Sequence, residues 1–249
     1  MDEETAGRSG DEGGRETAGP APRRARGAVA AAKRAKVAAR KAAETRRLKR
    51  LLAREAVLWE SGLEHIAGVD EAGCGPLAGP VVAAAVILPR GLAVRGVDDS
   101  KKLLPHVRES LALEIRARAL ALGVGAASAA EIDRLNIYRA RHLAMERAVR
   151  RLAVQPQRIL VDGRPVPCLG ERHEAIVDGD ALVHAIACAS IIAKTVRDCL
   201  MRKLALRYPA YGWEHNAGYA TAEHKAAIEG NGLTRHHRRS FIQVQLELL

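Results

Sequence analysis

Two adjacent acids, Asp70 and Glu71, stand at the end of an apolar run inside the stretch IAGVDEAGCGPLAGPVV, residues 66–82. Ile66-Ala67-Gly68-Val69 reads as a strand, Gly73, Gly75 and Gly79 punctuate a tight loop, and the apolar run 81–88 reads as a second strand. Side chains alternate faces along a strand, so neighbouring acids diverge unless the backbone bends. A bend would let both reach one cation, and the glycines would let backbone approach a ligand closely. Taken alone, the stretch supports a solvated hairpin turn and a ligand-binding loop equally. Two phosphate loops are excluded. A strand-like run follows instead of the helix that a dinucleotide fingerprint needs, and no Gly-Lys-Ser/Thr closes the loop as in an NTP-binding site.

Charge bears on the choice. The 249 residues carry a formal net charge of +11, which points to a polyanionic partner. A basic surface is ordinary in itself, but acids set in a basic background suit a nuclease, which grips phosphates with cations and metal with carboxylates. The chain has room for one or two domains, and its core must be aliphatic, because only one Phe, two Trp and four Tyr are present. Any exposed aromatic is therefore a candidate for stacking. The four cysteines, Cys74, Cys168, Cys188 and Cys199, form no CxxC pair, which fits a reducing compartment. No apolar run approaches the ~20 residues of a membrane span, and the acidic start lacks a signal core. A soluble, cytoplasmic, monomeric protein is expected.

Residues 1–27 are poor in large apolar side chains and are expected to be a disordered tail. Residues 28–61 read as a basic helical extension docked near Trp59, with Glu44 the one acid between Arg23 and Arg54. It suits a nonspecific nucleic-acid arm or a solvated helix. The catalytic domain is expected over 62–249. Its strands are placed at 64–70 and 80–88, with a polar loop at 98–103. A helix starts at Pro105, buries Leu111, Ile115, Ala119 and Leu122, and is stopped by Gly123 and Gly125, with a strand at 124–128. A helix follows over 136–153, a strand ends in Asp162-Gly163, another leads to Asp178-Gly179-Asp180, and a long helix runs over 181–207. A short helix over 222–229 precedes the basic cluster 235–239. Interleaved helices and strands predict an α/β sheet covered by helices.

Asp70, Glu71, Asp162 and Asp180 all lie at or just beyond strand-like runs. If those ends share one sheet edge, four carboxylates gather, and like charges resist ionising together. Divalent cations would neutralise them, and hard oxygen donors select Mg²⁺ or Mn²⁺. Two such ions roughly 4 Å apart activate a water and stabilise a leaving oxygen in phosphodiester cleavage.

Six blocks, GVDEAGCGPLAGPVVAAAVILP, DDSKKL, ILVDG, GDALVHAIACASIIAKTVRD, YGWEHNAGYATAEH and HHRRSF, resemble bacterial type 2 ribonuclease H, ribonuclease HII, across residues 63–243. The resemblance implies a ribonuclease H-like fold, a five-stranded mixed sheet flanked by helices with a helical C-terminal portion, here behind a basic N-terminal extension. It implies hydrolysis of the RNA strand of RNA–DNA hybrids and incision 5′ of single ribonucleotides in duplex DNA, leaving 3′-hydroxyl and 5′-phosphate ends. It implies roles in ribonucleotide removal from DNA and in RNA primer removal. Asp70, Glu71, Asp162 and Asp180 match the family's catalytic, metal-binding set. Gly73, Cys74 and Gly75 match its backbone reader of the ribose 2′-hydroxyl, and Tyr219 the tyrosine that packs on the adjacent sugar. Ser100, Lys101, Ser190 and Lys194 resemble phosphate contacts, and the 236–239 cluster is expected to hold phosphates as well. Arg197 and Asp198 are expected to form local helix polar structure.

Three positions depart from the pattern: Cys74 replaces an arginine, Asp178 a lysine two residues before the last acid, and Ala217 a lysine two residues before the tyrosine. All three remove positive charge, for which the basic extension would compensate. Two other classes are weighed. A junction-resolving or transposase-like nuclease of the same fold would need neither Tyr219 nor the glycine reader. A noncatalytic nucleic-acid binder would not need all four acids.

Overall fold

A computed structural model describes the backbone of residues 23–242 and the side chains from residue 33. The tail expected over 1–27 lies outside the described residues up to residue 22, as does the C-terminal segment 243–249. Contacts divide the chain between Ala43 and Glu44. The first helix, α1 (Arg23–Leu51), crosses that division; α2 (Ala53–Glu60) follows it. The side chains of residues 33–43 are exposed, whereas Leu48, Leu51 and Trp59 are buried.

The compact unit from Glu44 onward is built on five strands. β1 (Ile66–Ala72) and β2 (Val81–Ile87) lead to α3 (Pro105–Arg118) and β3 (Ala121–Ala127). α4 (Ala129–Leu135) and α5 (Ile137–Arg150) precede β4 (Arg158–Asp162), β5 (His173–Ile176) and the single turn α6 (Gly179–Leu182). The long α7 (His184–Arg207) is followed by α8 (Trp213–Asn216) and α9 (Ala222–Asn231). The sheet order is β3-β2-β1-β4-β5. β1 is antiparallel to β2 and parallel to β4, so the sheet is mixed. No helix among the described residues is long and apolar enough to cross a membrane.

Alternation along the strands separates two cores. Val69, Ala83, Ala85 and Val161 pack with Ala144, Met145 and Ala148 of α5. Ala84 and Val86 pack with Ile115 of α3 and Ile191 and Ile192 of α7. Both helices lie unusually close to the sheet where the strands carry glycine. A Cβ on Gly68 would stand 2.1 Å from the Ala185 carbonyl carbon in α7, and one on Gly125 would stand 2.1 Å from the Ala144 carbonyl oxygen in α5. Gly123 and Gly125, expected to stop a helix, therefore lie inside β3 and make room for α5. The helix before them ends at Arg118 because Ala119 turns extended and the Leu120 N–H joins Ile87 of the sheet. α4 escaped the sequence reading, although Ser128 and Glu131 form a capping box at its start.

Candidate active site

Strand register decides which acids meet. β1 and β4 run parallel with Val69 opposite Val161, so the next residues, Asp70 and Asp162, stand side by side at the strand ends. Both fall on the face that Gly68 and Leu160 turn toward α7. Ser190 of α7 lines the same cavity and favours the ionised form of Asp70. Glu71 falls on the opposite face, where Arg141 of α5 places Nε 3.0 Å from its Oε1. The two neighbours therefore diverge along a regular strand rather than bending together. Asp180 comes from the first turn of α6, and the preceding Gly179 N–H donates to Asp162 Oδ1 at 2.7 Å.

A cavity of about 480 Å³ unites the set. It is lined by Asp70, Glu71, Asp162 and Asp180, by Gly73, Cys74, Gly75 and Tyr219, and by Ser100, Lys101, Ser190 and Lys194. Ala72 and Arg108 complete the lining. Arg108 was not singled out in the sequence; it donates to the Ser100 carbonyl at 2.9 Å and pairs with Asp198. Ser100 Oγ and Ser190 Oγ bond each other at 2.9 Å, both buried. Lys194 Nζ lies 2.7 Å from Asp198. Asp178 is exposed and, like Ala217, is not among the cavity-lining residues.

The acids strain against their own charge. Burial, then Glu71 and Asp162, push Asp70 well above the usual carboxylate range. Burial raises Asp162, opposed by the Gly179 N–H. Burial and Asp162 raise Asp180, opposed by Lys101. Burial works to lower Lys101, but Asp99, Asp180, Asp70 and Asp162 outweigh it and raise it. Such a cluster calls for a cation. As they stand, no three acidic, His or Cys groups among the described residues are spaced to grip one ion. The donors nevertheless fit Mg²⁺ or Mn²⁺: they are hard oxygens, and Glu71 Oε2 is buried without a hydrogen-bond partner.

The glycine loop follows directly. Gly73 has φ +95, the left-handed region that a side chain would strain. Burial and the charge of Glu71 push the Cys74 thiol up to about 12, so it stays protonated and donates to Glu71 Oε1 at 3.4 Å. The Tyr219 ring lies beside Gly75 and is partly exposed. His224 Nδ1 donates to the Tyr219 carbonyl at 2.8 Å, and His224 Nε2 accepts from Trp213 Nε1 at 3.0 Å.

Two expectations are corrected here. His237 and Arg238 were expected to face phosphates but are buried, and Arg238 bonds the carbonyls of Gly73, Cys74 and Gly79. Arg197 was expected to serve its own helix, but it reaches under the same loop to the carbonyls of Ala78 and Pro80. Helical spacing held the signal: Ala189, Ala193, Arg197, Met201 and Ala205 are buried at every fourth position of α7.

The family model for ribonuclease HII matches residues 67–244. A ribonuclease HII from Thiobacillus denitrificans is 56% identical over 195 residues, 78% of this chain and 96% of that protein. One from Myxococcus xanthus is 52% identical over 204 residues, 82% of this chain and 70% of that protein. Among solved structures, the ribonuclease H2 from Pyrococcus horikoshii superposes with a TM-score of 0.61 at 27% identity, covering 71% of this chain and 93% of that one.

Proposed function

The chain belongs to the ribonuclease HII family and is a ribonuclease H, and on that premise we propose that it hydrolyses the RNA strand of RNA–DNA hybrids and incises duplex DNA on the 5′ side of single embedded ribonucleotides. The products are 3′-hydroxyl and 5′-phosphate ends, and the work in the cell is ribonucleotide excision repair and RNA primer removal by a cytoplasmic monomer. The observation that carries the reading is the meeting, in one cavity, of an acidic cluster and a glycine loop flanked by a partly exposed tyrosine.

Asp70, Glu71, Asp162 and Asp180 would hold the divalent ions. Bound there, Mg²⁺ or Mn²⁺ would neutralise the charge that develops on the attacking water and the leaving 3′-oxygen. The chain's own groups do the rest. Lys101 and Lys194 draw the phosphodiester toward the acids, with Ser100 and Ser190 as hydroxyl donors beside it. The backbone of Gly73, Cys74 and Gly75 meets the 2′-hydroxyl, the one group that separates ribose from deoxyribose at a given position. Tyr219 packs against the neighbouring sugar and fixes the strand.

The test is digestion of three otherwise identical duplexes: all DNA, DNA with one ribonucleotide, and a full hybrid. Mg²⁺ or Mn²⁺ should give a single cut 5′ of the ribonucleotide, cuts along the hybrid's RNA, and none in the all-DNA duplex, and chelator should abolish cutting. Cleavage of the all-DNA duplex at a comparable rate would reject ribose recognition and favour a DNA nuclease on the same fold.

A further inference from the structure

Arg197 of α7 and Arg238 of the C-terminal segment lie beneath the glycine loop, both fully buried. Among the described residues no carboxylate lies within ion-pair distance of either. Burying even one uncompensated charge is costly, and a scaffold needs no charge there. What the pair does with its donors is specific. Arg238 Nη1 donates to the Cys74 carbonyl at 2.9 Å, Nη2 to Gly73 at 2.6 Å, and Nε to Gly79 at 3.0 Å. Arg197 Nε donates to the Pro80 carbonyl at 3.0 Å and Nη2 to Ala78 at 3.1 Å. Arg197 Nη1 is buried and has no hydrogen-bond partner among the described residues.

The planar, trans peptide unit turns these bonds into an orientation. When a carbonyl points inward, the N–H of the same peptide points outward. The inward carbonyls of Gly73 and Cys74 therefore turn the N–H groups of Cys74 and Gly75 away from the arginines, at a loop whose residues line the cavity. Neither N–H is hydrogen-bonded among the described residues. Loop and pedestal fit only each other: a Cβ at Gly73 would stand 2.0 Å from Arg197 Nε.

We propose that Arg197 and Arg238 are positioning residues for ribose recognition: Arg238 turns the Gly73 and Cys74 carbonyls inward so that the Cys74 and Gly75 N–H groups face the 2′-oxygen, and Arg197, held by the Ala78 and Pro80 carbonyls, is the floor on which Gly73 rests. The proposal rests on the reading of this loop as the ribose reader. It departs from plain scaffolding in one respect: loss of a fork beneath the loop selectively weakens the preference for ribose. A site built to bond a hydroxyl rejects the analogue lacking it, because its donors are then left unpaired.

The experiment uses the full chain with Arg197→Lys and Arg238→Lys made separately. Lysine keeps the charge but cannot span two carbonyls. Binding is measured in chelator to two duplexes that differ only in hydroxyl or hydrogen at one 2′ position. The parent should prefer the ribonucleotide duplex. In at least one lysine variant that preference should fall by about tenfold, the worth of one or two hydrogen bonds, with all-deoxy affinity held within about twofold. A parental preference in both variants, or a proportional loss on both duplexes, would overturn the proposal and leave the loop reading standing. A parent without any preference would remove the loop reading itself.

Discussion

Glu71 is claimed from two directions. Arg141 lies 3.0 Å from its Oε1, and the Cys74 thiol donates to the same oxygen. Arg141 also donates to the Asp162 carbonyl at 2.9 Å, so its guanidinium sits behind two of the proposed metal ligands. A fixed cation there weakens the pull of the cluster on a mobile one. Arg141→Gln should tighten Mg²⁺ or Mn²⁺ binding by on the order of tenfold, read by calorimetry on the protein without nucleic acid. Unchanged or weaker affinity would show that the arginine only organises the site. The sequence singles out the four acids because each lies at or just beyond a short apolar run, and the structure brings all four to the lining of one cavity. Their partners were not. Strand alternation sends Glu71 to α5 and Asp70 to α7, and neither helix can be assigned a face before the sheet order is known.

At the scale of elements, α7 has no side-chain cap of its own, since Val183 stands at its N-cap. The buried Glu55 of α2 faces that end, where the His184 and Ala185 backbone favours its charged form. Burial outweighs that backbone and pushes Glu55 up to about 8. An acid whose folded pKa is raised favours the fold most while protonated. That contribution is fully present below the unfolded value near 4.5 and is lost as pH rises toward about 8. Thermal stability should therefore decline across that window, and Glu55→Gln should flatten the decline; an identical slope in both proteins would take Glu55 out of the account. No sequence pattern marks this placement, because an acid brought to a helix end by another helix leaves no local signature. Gly123 and Gly125 fail to reveal their role for a related reason. Glycine stops a helix or admits a close neighbour with equal ease, and only the position of α5 decides between them. The i, i+4 stripe that buries Arg197 was by contrast readable.

At the scale of the whole molecule, the hairpin of β1 and β2 was legible in two apolar runs joined by a glycine loop, whereas nothing local says that β1 and β4 are parallel neighbours. The N-terminal basic helix belongs to this scale too. Leu48, Leu51, Glu55 and Trp59 are buried, so removing residues 1–60 would open the core, and charge substitution is the cleaner probe. Lys33, Arg34, Lys36 and Arg40 are exposed. Replacing all four with alanine should make the salt dependence of duplex binding shallower by up to about 3.6 in the log–log slope if the helix lies along phosphates. An unchanged slope would reduce it to a solvated helix. The central claim is that carboxylates from separate strand ends act together as one divalent-ion site beside a ribose reader. Single-turnover cleavage of a duplex with one ribonucleotide tests it most directly, comparing the parent with Asp70→Asn and Asp162→Asn. The account predicts a loss of about a thousandfold or more in each variant, with binding within about threefold of the parent; cleavage at the parental rate by either variant would contradict it.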